Sequence, residues 1–234
     1  MKIMELGSEE LVSRLMLTVI NYKENEDKIQ NFPYIHKGNF ALLAQLCVGE
    51  KNDAGQYTAC LTVTQSMLEK WGLPKEQLFE IAADNSKKLF PTIYLPMTSY
   101  YKMQGENEQL QLNDDLDISE ITVLTNKQHF NGAATLFYDS DVLAQIASQS
   151  AVDKLILMPS GVNQVYCVPY KNDDVLMDCQ EIYKGLIEMI NKENRLTDNI
   201  LSYDVKSNSI TEANGESYEL SVNENLVKKQ EHRR

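Results

Sequence analysis

Histidine, cysteine and one turn serine are the groups in this sequence best suited to chemistry. A catalytic zinc needs three protein ligands, yet His36, His129 and His232 stand far apart, with no HExxH run and no CxxC pair. A metal centre could be assembled only by the fold, and none is expected. Cys47, Cys60, Cys167 and Cys179 each lie in an apolar segment, which reads as reduced core thiols in a cytoplasmic protein. Cys47 and Cys60 fall on two strands expected to pair, close enough to meet, but a structural disulfide is not the favoured reading. Ser160, in Pro159-Ser160-Gly161, lacks the preceding glycine and following helix of a nucleophile elbow, so it reads as a turn residue. Neither GxGxxG nor GxxxxGK[ST] occurs, which removes the usual phosphate cradles, and no cofactor is expected. The acidic run holding Asp115 and Asp117 lacks the glycine and the terminal glutamate that shape an EF-hand loop.

What remains is a pair of polar turns. Asn126, Lys127 and Asn131 mark the first; Ser160, Asn163 and Gln164 mark the second. Loops on a rigid scaffold are where binding residues tend to sit, so these six form the candidate binding surface, and an unknown protein partner is the expected ligand. Two alternatives stand beside this reading. One is a hydrolase whose site at the 126–132 and 159–164 turns brings Ser160, His129 and an acidic residue together. The other is an acidic inhibitor that mimics nucleic acid.

The elements that must position these turns come from periodicity. Ser8 reads as the cap of a helix whose apolar face is Leu11, Val12, Leu15, Met16, Val19 and Ile20 and which runs toward residue 30. Segments 40–48 and 57–64 read as a hairpin, followed by a helix over 65–71 that Gly72 stops and another that opens at Pro74 and closes before Pro91. A composition shift over 102–119 reads as an acidic linker. Residues 120–170 read strand, turn, strand, helix, strand, turn, strand, with the second strand over 133–138; Asn131-Gly132 supplies positive φ and Asp139 to Asp141 cap the helix. A long helix capped by Asn172 or Asp173 carries Val175, Leu176, Cys179, Ile182, Tyr183, Leu186, Ile187 and Ile190. A hairpin over 200–205 and 209–212 closes the chain. The parallel between Tyr138-Asp139-Ser140-Asp141-Val142-Leu143 and Tyr170-Lys171-Asn172-Asp173-Asp174-Val175-Leu176 makes repeated ββα units one account of the fold. The expected class is α+β, antiparallel hairpins covered by helices. Its regions are 1–101, the linker 102–119, 120–212 and a polar tail 213–234.

Composition bounds the rest. With 43% hydrophobic residues in 234, the chain can bury a normal core. A net charge of −12 opposes direct binding to a phosphate backbone. No run of 18 apolar residues suggests a membrane span, and the first ten residues lack the apolar core of a signal peptide.

Val123-Leu124-Thr125-Asn126-Lys127, followed by Asn131-Gly132-Ala133-Ala134, resembles DUF5688, a bacterial family of unknown function found mainly in gut Firmicutes. Val19-Ile20-Asn21-Tyr22 then Asn25, Trp71 before the helix with Leu78, Ala83 to Asn85 then Phe90-Pro91, and Tyr203-Asp204 agree in order. The resemblance implies an accessory protein, of a bacterial mobile element or its host, that carries no assigned activity. It also exposes departures. The family pattern has Pro-Ser-Ser-Ile-His-Glu where this chain has Pro159-Ser160-Gly161-Val162-Asn163-Gln164, and Pro-His and Asp-Leu where it has Pro33-Tyr34 and Asn39-Phe40. Amides at Asn163 and Gln164 form hydrogen bonds but do not titrate near neutral pH, so any acid–base role at those positions is lost here.

Overall fold

The computed structural model describes residues 8–51, 57–103, 120–213, 215–220 and 222. In chain order its elements are α1 (Ser8–Ser13), β1 (Leu15–Asn21), β2 (Tyr34–Lys37), β3 (Phe40–Lys51), β4 (Tyr57–Thr62), α2 (Gln65–Trp71), α3 (Lys75–Leu89), β5 (Thr92–Pro96) and α4 (Met97–Met103). They continue with β6 (Thr122–Asn126), α5 (Thr135–Tyr138), α6 (Val142–Gln149), β7 (Lys154–Pro159), β8 (Val165–Pro169), α7 (Asp173–Met189), β9 (Leu201–Asp204), β10 (Ser209–Thr211) and β11 (Ser217–Glu219). Among the described residues all strand pairings are antiparallel, and the fold is α+β as expected. The expected acidic linker over 102–119 begins inside α4, which ends at Met103, and its remainder, 104–119, lies outside the described residues; the expected polar tail over 213–234 contains β11, and 214, 221 and 223–234 lie outside the described residues.

Two sheets carry the structure. In the first, β3 lies between β1 on one side and both β2 and β4 on the other. The second runs β11-β10-β9-β7-β8-β6-β5. Alternation along its central strands divides it cleanly: Leu155, Leu157, Val165 and Cys167 enter the main core, while Ile156, Met158, Tyr166 and Val168 face a cluster with α4 and α7. The main core also receives Phe40, Leu42, Ala44 and Leu46 from β3, so the two sheets share one apolar interior.

Punctuation residues act as their chemistry predicts. Thr64 Oγ1 accepts the Met67 amide and Gly72 stops α2 at φ +61°, a left-handed conformation that suits glycine. Asn172 caps α7 by accepting the Val175 amide. Pro74 sits at the cap of α3 rather than inside its first turn.

Two elements differ from the sequence reading. The helix from Ser8 ends at Ser13, and Leu15 to Ile20 is a strand. Leu15, Leu17 and Val19 enter the main core, whereas Met16 and Ile20 join clusters on the opposite face. A strand buried on both faces is apolar throughout, and the same residues then also satisfy helical spacing. The stretch 133–138 is helical, a 3₁₀ turn over Gly132–Ala134 running into α5. The positions beside β6 are already taken by β5 and β8, and Thr135 Oγ1 donates to the Gly132 carbonyl at 2.7 Å to start the turn. The ββα order therefore appears at β3–β4–α2 and β7–β8–α7 but not across 121–149. Short strands β2, β5 and β11 and helix α4 were not anticipated.

Side-chain ties close the open edges. The Leu17 amide on β1 donates to Ser86 Oγ of α3 at 2.8 Å, both buried. Near the other end of the first sheet, the Asn39 amide donates to the buried Glu212 carboxylate. Gly38, at φ +53°, is required there, because a Cβ would stand 2.1 Å from Glu212 Oε1.

Ser86→Ala leaves the Leu17 amide buried without that acceptor. It is expected to lower the unfolding free energy by about 1–3 kcal/mol, read as a lower urea midpoint at unchanged slope. Burial is the leading influence on Glu212 and raises its carboxyl above the ordinary carboxylate value. The folded state therefore holds this proton more tightly than the unfolded chain. That contribution to stability is complete below the unfolded pKa of about 4.3 and is lost as pH rises through the higher folded value. Glu212→Gln is expected to flatten this part of the stability profile, measured by denaturant titrations from pH 4 to pH 8.

Candidate functional site

Asn126 builds the first turn around its own side chain. Its Oδ1 accepts the amides of Gln128 and Phe130 at 3.1 and 3.3 Å, and its Nδ2 donates to the Phe130 carbonyl at 2.7 Å. It is 1% exposed, so it shapes the turn from beneath. His129 and Asn131 then take left-handed conformations, φ +52° and +50°. In the second turn the Ser160 amide donates to the Gln164 carbonyl at 2.9 Å.

The two turns are bonded to each other. Thr125 Oγ1 donates to the Asn163 carbonyl at 2.7 Å, the Asn131 amide donates to Asn163 Oδ1 at 3.2 Å, and the Ala133 amide donates to the Val162 carbonyl at 3.0 Å. Gly132 makes the approach possible. A Cβ on it would lie 2.1 Å from the Asn163 carbonyl oxygen and 2.2 Å from Thr125 Oγ1.

A chain of neutral hydrogen bonds leads away from Gln164. Its Oε1 accepts from Tyr100 at 2.8 Å, its Nε2 donates to Tyr166 at 2.9 Å, and Tyr166 meets the Tyr101 hydroxyl at 2.7 Å. Since Tyr100 donates to Gln164, its oxygen is left to accept from His129 Nδ1 at 3.3 Å. Burial, and then the neighbouring Tyr166, push Tyr101 well above the ordinary phenol value. The Tyr101 hydroxyl therefore stays protonated at neutral pH.

Between the first turn and the first sheet lies a pocket of about 280 Å³ lined by Cys47, Tyr57, Cys60, Phe90, Gln128, His129 and Phe130. Asn131 Nδ2 bridges to Gln45 Oε1 on β3 at 3.5 Å. Cys47 and Cys60 are register partners on β3 and β4, with sulfurs 3.6 Å apart, both as thiols. Cys167 and Cys179 lie elsewhere, buried, and burial raises both thiols, Cys179 to about 12.

Of the six residues chosen from sequence, Asn126, Asn131, Asn163 and Gln164 are brought into this one assembly. Lys127 is exposed beside it, its amide bonded to the Pro91 carbonyl at 3.0 Å. Ser160 is outside the pocket wall that holds His129, and the adjoining Gly161 faces Asn194 and Ile190 near the end of α7. Tyr34 and Asn39 belong to the β2–β3 hairpin, a different hairpin from that of Asn163 and Gln164. The sequence reading missed Tyr100, Tyr101, Tyr166, Phe90 and Phe130. The adjacent Tyr100-Tyr101 pair was the available signal, since two phenols side by side in a polar stretch need partners.

A family model described as a family of unknown function (DUF5688) matches residues 4–207. No curated protein and no solved structure matches the chain.

Gly132→Ala is expected to force the turns apart and to destabilise the fold by about 1–3 kcal/mol through overpacking. Faster amide exchange at Asn131 and Ala133, whose donors cross the gap, would register the separation.

Proposed function

We propose that this chain, which belongs to the DUF5688 family, is a non-catalytic binding protein that receives an apolar side chain of a partner protein in the pocket beside the 126–131 turn. The observation that carries this reading is Phe130, an aromatic 41% exposed that lines the pocket together with Phe90 and Tyr57, its ring 6.2 Å from that of Phe90. Exposed aromatics at the mouth of a preformed pocket are typical anchors of protein interfaces. Around it the amides and phenols bond mainly to one another, which fixes the shape of the surface and leaves Asn163 and Lys127 exposed at its rim to meet a partner's polar groups. Asn163 and Gln164 exchange no protons near neutral pH, and Ser160 is not a wall of the His129 pocket. Both facts favour recognition over hydrolysis. A net charge of −12 favours a partner with a basic face and disfavours a phosphate backbone. Reduced thiols fit action in the cytoplasm of a bacterial host, and among the described residues no helix is long and apolar enough to cross a membrane.

A photo-crosslinking amino acid placed at Lys127 and exposed to host lysate is expected to give one saturable protein adduct. Phe130→Ala should reduce that adduct at least about tenfold, the equivalent of 1.4 kcal/mol, with the unfolding midpoint little changed. Capture that is indifferent to Phe130→Ala overturns the assignment. So does ester turnover by the purified protein that His129→Ala abolishes.

A further inference from the structure

Three sulfur atoms gather beneath the pocket. Cys47 Sγ is 3.3 Å from Met16 Sδ, Cys60 Sγ is 4.0 Å from the same atom, and the two thiols are 3.6 Å apart. The strand register explains why. The Cys47 amide donates to the Arg14 carbonyl at 2.9 Å, on the β1 side, so Cys47 and Cys60 form a non-hydrogen-bonded pair across β3 and β4, the arrangement in which facing side chains come closest. Met16 is paired with Gln45, two residues before Cys47, and reaches the pair diagonally from β1.

We propose that Met16, Cys47 and Cys60 form a three-coordinate, all-sulfur site for a soft monovalent metal ion, copper(I), entered through the pocket. The point equidistant from the three sulfurs lies about 2.1 Å from each, close to the metal–thiolate bond length of about 2.3 Å. The triangle is therefore already near the size a trigonal ion requires, its sides of 3.3, 3.6 and 4.0 Å standing against the roughly 4.0 Å that bonds of that length set. The donor set selects the ion. Two thiolates and a thioether suit copper(I), whereas zinc(II) takes four nitrogen, thiolate or oxygen ligands in structural sites. Among the described residues His, Cys, Asp and Glu nowhere gather in groups of three; methionine supplies the third ligand here. Access comes from the pocket, which both cysteines line. Cys60 is half-buried, so solvent reaches one of the two thiols. Binding releases the thiol protons to solvent.

The full chain, reduced and under anaerobic conditions, should be titrated with the copper(I)–bicinchoninate complex and the bound metal measured by X-ray absorption. One copper per chain with three sulfur neighbours is expected. Cys60→Ser should weaken retention at least 100-fold. Met16→Leu conserves volume and so should leave the fold intact; it should weaken retention about tenfold and reduce the shell to two sulfurs. A wild-type protein that takes no copper from bicinchoninate overturns the site. So does a Met16→Leu protein that binds as the wild type does, or a shell in which nitrogen replaces a sulfur.

Discussion

β3 must be covered on both faces, and the rest of the molecule answers that requirement. Twelve residues long, it is paired with β1 along one edge and with β2 and β4 along the other. Phe40, Leu42, Ala44 and Leu46 point into the main core, where α3, α5 and the second sheet supply the opposing surface. The other face needs a separate cover, and it receives two. Ile29, with Phe32 and Tyr34, lies over Ala41 and Leu43, while Phe90 lies with Met16 and Cys47. The pocket lies over that second cover, where the 126–131 turn arrives from the second sheet. It is a consequence of how a doubly buried strand is covered.

The turn pair depends on a contact of main chain with side chain at very short range. Thr125, Gly132 and Asn163 approach so closely that only a residue without a Cβ fits at the middle position. Behind them the phenol and amide groups form a continuous chain in which Tyr100 donates to Gln164, Gln164 donates to Tyr166, and Tyr166 and Tyr101 share a hydrogen bond. Such a network is well satisfied and therefore stiff.

Much of this was legible because polar punctuation leaves local marks. Gly72, Pro74 and Asn172 announce the helix ends, and the alternating 57–64 segment announces a hairpin. Leu15 to Ile20 and 133–138 were read in the wrong state for one common reason: a segment buried on every side has no solvent-facing residues to reveal its period. The site was half legible. Asn126, Asn131, Asn163 and Gln164 stood out as amides in turns, but the sequence alone could not show that Asn126 points inward, nor that a core-like Met16 on the adjacent strand is the diagonal neighbour of Cys47. Register and diagonal neighbours are tertiary properties, set only when β1, β3 and β4 have paired.

The ties between the first sheet and the loops late in the chain have a consequence for synthesis. Asn21 Nδ2 reaches the Leu196 carbonyl, Asn39 reaches Thr197, and the Asn39 amide reaches Glu212, across 175, 158 and 173 residues of sequence. A nascent chain can pair β1 with β3 early, yet the β2–β3 turn stays unlatched until Glu212 has left the ribosome. Contacts of such long separation close slowly. Throughout that interval the apolar face of β3 awaits partners that have not yet been translated, and exposed strands in that state are prone to wrong pairing.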